Sequence, residues 1–263
     1  KIKENFYAFA TKDKNIFFTY NFDKNIINTA QELKKKNVIK WVAIVADYDS
    51  INKQKIEEKL ANADLVIYLS EYSFKKSSLK SKKLIQGGID RFEISRIKKV
   101  KSFLYSGSLG PWIDIEKFIN DFNKIKDKEI KFYITSNDKL YFDRHLKSEN
   151  KNIIFLGFRS KKDLIKISKK TDIFINLRNE LNTNNNNNFI FKILNYLKYC
   201  KPIISTDQLS YGKNLRDLLI IKKKNITYDQ LIRKAITFDP NFLLKKKNNQ
   251  KNLLKKIIIG IKL

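Results

Sequence analysis

The sequence predicts an α/β protein made of two successive doubly wound units, and three observations lead to this fold class. Short apolar runs rich in β-branched and aromatic residues alternate with amphipathic stretches of helical period. Strands that alternate with helices are typical of βαβ units in parallel sheets. The alternation pauses near residues 87–90 and then restarts, which indicates two units in succession.

The first unit is predicted to hold four strands joined by amphipathic helices. Its second strand is almost wholly apolar, as expected of a strand buried inside a sheet. Strands are predicted at Asn15–Tyr20, Val38–Ala46, Leu65–Ser70 and Lys82–Gln86, with helices at Ile26–Lys36 and Ile51–Ala63.

The second unit repeats the pattern over about 140 residues, the length of an ordinary domain. Five strands and four helices are expected in it. The strands are Ser102–Ser106, Ile130–Thr135, Ile153–Leu156, Asp172–Leu177 and Pro202–Thr206, and the helices are Asp114–Ile125, Lys161–Lys170, Phe189–Tyr199 and Tyr228–Thr237.

These patterns predict three regions: an N-terminal domain over 1–88, a C-terminal domain over 89–240 and a tail over 241–263. The basic stretch from Arg91 to Lys101 is interpreted as the connection between the domains. The tail carries seven lysines and no acidic residue. Its apolar residues would share one face of a basic amphipathic helix, which is suited to an anionic membrane surface.

The charge balance has two interpretations. With 55 lysines and arginines against 27 acidic residues, the formal net charge is +28. A compositional bias towards Lys, Asn and Ile would explain much of this excess of positive charge without any binding role. The alternative is a surface selected to bind polyanions. One cysteine and one histidine exclude an internal disulfide and a cysteine-based zinc site. No apolar run could span a bilayer, so we expect a cytoplasmic protein, with peripheral contact to the inner face of the membrane through its tail.

Ligands of parallel sheets bind beyond the carboxyl ends of the strands, so the segments that follow the strands are the candidate site. Gly107-Ser108-Leu109-Gly110 follows one strand and would let backbone N–H groups approach a phosphate, although it also fits a plain turn. Gly157-Phe158-Arg159-Ser160 follows another and fits a capped turn equally well. Arg178 follows a third, where its guanidinium could bind a diphosphate or be solvated.

The most specific stretch is FIFKILNYLKYCKPIISTD, residues 189–207. In this stretch a helix with Lys192 and Asn195 leads through Lys201-Pro202 into a strand that ends at Ser205-Thr206. The layout places a cation, an amide and two hydroxyls around one crevice.

This stretch resembles the donor-binding signature of GT-B glycosyltransferases, in particular the retaining family four, whose helix reads roughly F-x-K-x-x-E-Y-x-x-x-G-K-P before a strand like P-I-I-S-T. Other segments agree with that family in the same order. They are Ala63–Ile67 with Ser70, Gly88–Asp90, Tyr105–Leu109, Phe155–Gly157 and Asp172–Asn176 with Arg178.

The resemblance implies two Rossmann-like domains of the GT-B type, of which the N-terminal one is apparently incomplete. The C-terminal domain would hold a nucleotide-sugar, with Arg178 and Lys192 as the catalytic cations that neutralise the phosphates. Asn187 and Asn195 lie where the family has two glutamates separated by seven residues. The implied donor-binding set is Gly107, Ser108, Phe158, Arg159, Asn187, Asn195, Tyr196, Ser205 and Thr206.

The expected function is therefore transfer of a hexose from a nucleotide-sugar, with UDP preferred to GDP, to a glycan or lipid-linked acceptor of bacterial surface polysaccharide or glycoconjugate. Asp47 and Asp49 are the acceptor-side candidates. No metal is expected, because no Asp-x-Asp pair lies at a suitable place in the C-terminal half. No cofactor besides the nucleotide-sugar donor is expected. No specific nucleic-acid partner is expected either, because no RNA-binding signature interleaves the aromatic residues with basic ones on a recognisable sheet. The alternative is a non-catalytic protein of the same fold that binds polyanions through its basic surface.

Overall fold

The computed structural model describes residues 15–46, 52–87, 89, 92–93, 97–179 and 191–237 of the chain. By its internal contacts the chain divides into two compact units. The first contains residues up to Gln86 and also Leu209–Gly212, and the second begins at Gly87. Among the described residues, no helix is long and apolar enough to cross a membrane.

The first unit is a four-stranded parallel sheet whose strands lie in chain order, β1-β2-β3-β4. A helix connects each strand to the next. The elements are β1 (Asn15–Tyr20), α1 (Lys24–Lys35), β2 (Ile39–Val45), α2 (Lys53–Leu60), β3 (Leu65–Tyr68), α3 (Glu71–Lys76) and β4 (Lys82–Leu84).

Local signals account for these elements. Asp23 caps α1 by accepting hydrogen bonds from two amides of its first turn, Asn25 N and Ile26 N, both at 3.0 Å. The apolar stripe of α1 packs with Trp41 and Tyr68 into one core. Trp41 is fully buried and donates its indole N–H to Thr19 Oγ1 at 3.0 Å, which satisfies its polar atom.

The second unit is a six-stranded parallel sheet. Helices connect its strands, and one of them, α5, continues into a π-helical turn at Phe142–Leu146. The elements are β5 (Ser102–Ser106), α4 (Ile115–Phe122), β6 (Lys131–Thr135), α5 (Lys139–Tyr141), β7 (Ile153–Phe155), α6 (Lys161–Lys170), β8 (Ile173–Asn176), α7 (Phe191–Leu197), β9 (Ile203–Thr206), α8 (Lys213–Arg216), β10 (Ile220–Lys222) and α9 (Tyr228–Thr237).

The strand order of this sheet, β10-β9-β8-β5-β6-β7, reverses beside β5. From β5 the chain adds β6 and β7 on one side, then returns and adds β8, β9 and β10 on the other. This is the order of the doubly wound dinucleotide-binding fold, and the reversal opens a crevice between the first strand and the fourth.

Each face of the second sheet is covered by helices. On one face, Phe118 and Phe122 of α4 pack on Phe103 and Phe132 of the strands, with ring centroids 5.0–5.6 Å apart across these pairs. On the other face, Tyr196 of α7 stacks on Phe174 of β8 at 4.4 Å. Helices on both faces bury the sheet, as the parallel arrangement requires.

A buried lysine joins the two helices of the second face. Lys201 is 2% exposed, and its ammonium donates to three carbonyls at the C-terminal end of α6: Ser168 O at 3.3 Å, Lys169 O at 2.6 Å and Thr171 O. Burial lowers the pKa of Lys201, and nearby Asp172 opposes that shift. The cation satisfies carbonyls that the helix end leaves without partners.

The structure contains every strand and helix predicted over the described residues, and it adds four short elements that the sequence did not predict. β1, β5, α6 and α9 have the predicted bounds, and most of the others agree within one to three residues. Four elements were not predicted, because segments of three to eight residues contain too few turns to show a period. They are α3, α5 with its π-helical turn, α8 and β10.

Candidate active site

The crevice at the strand reversal lies between two loops, one after β5 and one after β8. Asn179 joins them: its backbone N–H donates to Trp112 O at 2.8 Å, and its side-chain amide donates to Pro111 O at 3.0 Å. Sequence reasoning missed Asn179. Its place directly after Arg178 at a strand end was the available signal.

Lys192 is the central charge of this site. Its ammonium lies 4.5 Å from the centroid of the Tyr105 ring and has no hydrogen-bond acceptor among the described residues. Burial, together with the positive charge of Arg178, lowers the pKa of Lys192 to about 7. Lys192 and Arg178 therefore lie close enough to repel each other, and within residues 97–179 and 191–237 neither has an acidic partner. Two neighbouring cations of this kind are suited to an anion with more than one charge.

Gly107 makes room for the ammonium. Its φ of +149° is one that residues with a side chain rarely adopt, and a Cβ at this position would collide with Lys192 Nζ. The predicted glycine at the end of β5 thus serves close approach of the lysine to the backbone.

The loop after β5 offers fewer free amides than its glycines predicted. Gly107 N–H donates to Thr135 O at 3.0 Å, and Leu109 N–H donates to Asp138 Oδ2 at 2.7 Å. Within the described part of the chain, the exposed Ser108 still has a free N–H. The helix α4 begins only at Ile115, so the amides after β5 belong to the loop and not to the first turn of the helix.

Ser205 and Thr206, two of the predicted donor-binding residues, form hydrogen bonds within the fold, and their contact with a donor stays a prediction. Both are fully buried. Ser205 Oγ accepts from Asn176 Nδ2 at 3.0 Å, and Thr206 Oγ1 accepts from the backbone N–H of Arg178 at 3.0 Å. Thr206 therefore acts on the site by fixing the backbone that carries Arg178.

Tyr196, another predicted donor-binding residue, is 4% exposed, and its contact with a donor likewise stays a prediction. Its hydroxyl accepts from the backbone N–H of Ser106 at 3.1 Å, and burial raises its pKa. The residue ties α7, which carries Lys192, to the end of β5. This contact requires the tyrosine that the family signature has at the position.

Of the remaining predicted site residues, three are exposed and three lie outside the described residues. Phe158, in the loop after β7, is 75% exposed, and Arg159 beside it is also exposed. Asn195 is exposed on α7, one turn from Lys192. Asp47, Asp49 and Asn187 lie outside the described residues.

Comparison with known proteins shows which family the chain matches. The family described as "Glycosyl transferases group 1" matches residues 100–236, which is just over half of the chain and most of the second unit. None of the curated proteins matches the chain.

Solved structures with the same fold include two transferases and one epimerase. The lipopolysaccharide outer core galactosyltransferase WaaB in its apo form has a TM-score of 0.58 at 14% identity, over 97% of this chain and 76% of that one. The catalytic domain of Starch Synthase IV from Arabidopsis thaliana, bound to ADP and acarbose, has a TM-score of 0.58 at 10% identity, over 99% and 72%. The UDP-GlcNAc 2-epimerase from Neisseria meningitidis, bound to UDP-GlcNAc, has a TM-score of 0.52 at 9% identity, over 97% and 73%.

At these identities the neighbours show the fold alone, which is the GT-B type with two Rossmann-like sets of parallel strands. The family match carries the further conclusion. The chain belongs to the group 1 family of glycosyl transferases.

Proposed function

We propose that the protein transfers a hexose from a UDP-sugar to a glycan or lipid-linked acceptor, in the synthesis of bacterial surface polysaccharide or glycoconjugate. One observation carries the proposal. Arg178 and Lys192 lie together at the strand reversal of a doubly wound sheet, and neither has an acidic partner within the described residues. This is the arrangement that a diphosphate needs.

The chemistry follows from charge. When the sugar leaves, negative charge grows on the diphosphate, and two fixed cations in a partly buried site stabilise that charge more than bulk water would. Lys192 is about half protonated in the free protein at neutral pH, because its pKa is about 7. A bound diphosphate would raise this pKa, so we expect the site to take up a proton as the nucleotide binds.

The rest of the donor site is proposed by position. Phe158 and Arg159, exposed in the loop after β7, would lie beside the base. Asn195, exposed on the helix that carries Lys192, would bind the ribose hydroxyls as donor and acceptor, without the charge of the family's glutamate. Retention of the anomeric configuration and independence from metal belong to the same proposal.

Two structural neighbours support the choice of nucleotide. One is the epimerase bound to UDP-GlcNAc, and another is an α-glucosyltransferase in complex with UDP and DNA, with a TM-score of 0.52 at 11% identity, over 98% of this chain and 77% of that one. The polyanion-binding alternative is not favoured, because the family match covers the unit that carries the paired cations.

Calorimetric titration with UDP and GDP, and with their sugars, tests the proposal. Lys192→Met and Arg178→Met should each weaken UDP binding by at least about tenfold, since each removes a charge-assisted contact. Lys198→Met is the matched control: Lys198 follows the other end of α7 and lies 3.9 Å from Glu93. Absence of UDP or GDP binding to the folded protein, or an equal loss in the control, would refute the assignment.

Intrinsic fluorescence gives a second readout. The chain has two tryptophans, of which Trp41 is fully buried and Trp112, in the loop after β5, is 40% exposed. A nucleotide bound at the reversal should change the emission of Trp112 and leave that of Trp41 constant, so the Trp112→Phe variant should lose the signal. Membrane contact by residues 241–263, which lie outside the described residues, is a separate prediction that vesicle cosedimentation with and without this segment tests.

A further inference from the structure

We propose that Tyr105 is a positioning residue that fixes the distance between the two phosphate-binding parts of the site, which are the Lys192 ammonium and the backbone at Ser108. The inference rests on the proposed function, since it assigns a positioning residue within that same diphosphate site. Tyr105 lies on β5 and does not contact the ligand itself in this scheme.

The tyrosine contacts both parts at once. Its ring centroid is 4.5 Å from Lys192 Nζ, and its hydroxyl donates to Ser108 O at 2.6 Å. The side chain is fully buried, so neither contact is shared with bulk water. A single rigid side chain therefore sets the distance between the ammonium and the loop.

The ring is the feature that favours the charged form of Lys192. Arg178 on the loop after β8 repels the ammonium, and burial removes its water. The π face of Tyr105 carries negative charge density and attracts a cation, more strongly where water is excluded. Asp138, on the loop after β6, and Tyr196, on α7, are the other titratable groups near Tyr105. Asp138 is held by Leu109 N–H and Ser136 Oγ.

The hydroxyl fixes the loop. Burial raises the pKa of Tyr105, and the charge of Asp138 raises it as well. The hydroxyl therefore stays protonated and can donate its hydrogen bond to Ser108 O. With Gly107 N–H bound to Thr135 O and Leu109 N–H bound to Asp138, the bond to Ser108 O completes three anchors around the free Ser108 amide. An amide held in this way loses little conformational entropy when it meets a phosphate.

Two variants separate the ring from the hydroxyl. Tyr105→Phe keeps the π face and loses the bond to Ser108, so UDP affinity should fall about threefold while its pH dependence between pH 6 and 9 stays as in the wild type. Tyr105→Leu loses both, so affinity should fall by about tenfold or more, and the decline of affinity with rising pH should begin at a lower pH.

A double-variant cycle then tests whether the ring acts through the lysine. In the Lys192→Met background, Tyr105→Leu should cost no more than Tyr105→Phe, because the ring has lost the charge that it positions. Phe103→Leu is the control for lost packing, because Phe103 lies on the same strand and face, is fully buried and packs on Phe122 away from Lys192. Equal losses with Lys and with Met at position 192, or a Phe103→Leu effect as large as that of Tyr105→Leu, would overturn the proposal.

The link to Lys192 is measurable without a nucleotide, which separates its failure from failure of the proposed function. NMR of labelled lysine should show the Lys192 titration midpoint lowered in Tyr105→Leu by about one pH unit and unchanged in Tyr105→Phe. An identical midpoint in the wild type and in Tyr105→Leu would refute the role even if UDP binds. Phenylalanine with a fluorinated ring at position 105 weakens the π charge with little change of shape, and it gives the same test if the leucine variant does not fold.

Discussion

Lys192 and Lys201 lie at opposite ends of the segment that contains α7, and they show two uses of a buried lysine. Lys201 has three carbonyl acceptors, whereas Lys192 has none among the described residues and instead faces an aromatic ring and an arginine. Burial lowers the pKa of both. We therefore expect Lys201 to stabilise the fold, whereas the half-buried Lys192, without an acceptor among the described residues, is available for the proposed diphosphate.

Replacement of Lys201 should produce the largest change in stability. Lys201→Met leaves three helix-end carbonyls without their donor, so the free energy of unfolding should fall by about 2–4 kcal/mol. Chemical denaturation measures this loss. UDP affinity of the folded fraction should stay within about threefold of the wild type, since no charge at the crevice changes. A stable Lys201→Met protein that has lost UDP binding would reverse the assigned roles of the two lysines.

The Gly107→Ala variant tests the space that the lysine needs. A Cβ at Gly107 would displace Lys192 Nζ, so we expect UDP affinity to fall by about tenfold. Gly157→Ala is the control, because Gly157 also has a positive φ, +69°, but a Cβ there would meet nothing within 4 Å. Both variants should lose about 1 kcal/mol of stability from backbone strain, as measured by thermal unfolding. Comparable affinity losses in the two variants would mean that strain alone explains the effect.

Replacement of Lys192 should have the opposite stability effect to that of Lys201. Lys192→Met removes a charge that burial and Arg178 disfavour, so the protein should unfold at the same or a higher denaturant concentration while losing UDP binding. A loss of more than about 1 kcal/mol in stability would show that Lys192 also supports the fold.

A further prediction concerns the pH dependence of stability. The pKa of Lys192 is about 7 in the folded protein and that of an ordinary lysine when unfolded, so above pH 7 the unfolded chain binds more protons at this residue. Stability therefore rises with pH through the window from 7 to 9. The Lys192→Met variant should lack this contribution, so the free energy of unfolding of the wild type, relative to that of the variant, should increase steadily with pH when both are measured by urea denaturation at each pH. A constant difference in stability between the two proteins from pH 7 to 9 would contradict a pKa of about 7 for Lys192.

The two sheets also differ in strand order and in how the polar groups that follow their strands are used. The first sheet runs in chain order, and polar groups that follow its strands are used by its own backbone: Asn21 Oδ1 accepts from Ala46 N–H at 2.9 Å, and Ser70 caps α3. The second sheet reverses beside β5, and the cations Arg178 and Lys192 come together there. Ala substitution of Asn21 should accordingly affect stability and not UDP binding.

Much of the fold could be predicted from the sequence, because each longer element carries its own signal. Short apolar runs locate strands such as Ser102–Ser106, and a period of 3.6 locates helices such as Lys161–Lys170, whose cap Ser160 accepts from Asp163 N–H at 3.2 Å. Short elements such as β10 were missed, because three residues contain no period and owe their form to pairing with β9.

Of the candidate site, the sequence by itself determined the residue types at the strand ends: Gly107 after β5, Arg178 after β8 and Lys192 on the helix that follows. Local chemistry and resemblance to a signature suffice for these positions. Only the tertiary structure decided which of the charged side chains have no acidic partner among the described residues. Thr206 and Tyr196 proved to be buried and bonded to backbone, and Tyr105 and Asn179 proved to donate hydrogen bonds to the loop after β5. Hydrogen bonds and burial depend on residues distant along the chain that the fold brings together, and a linear pattern does not contain those distances.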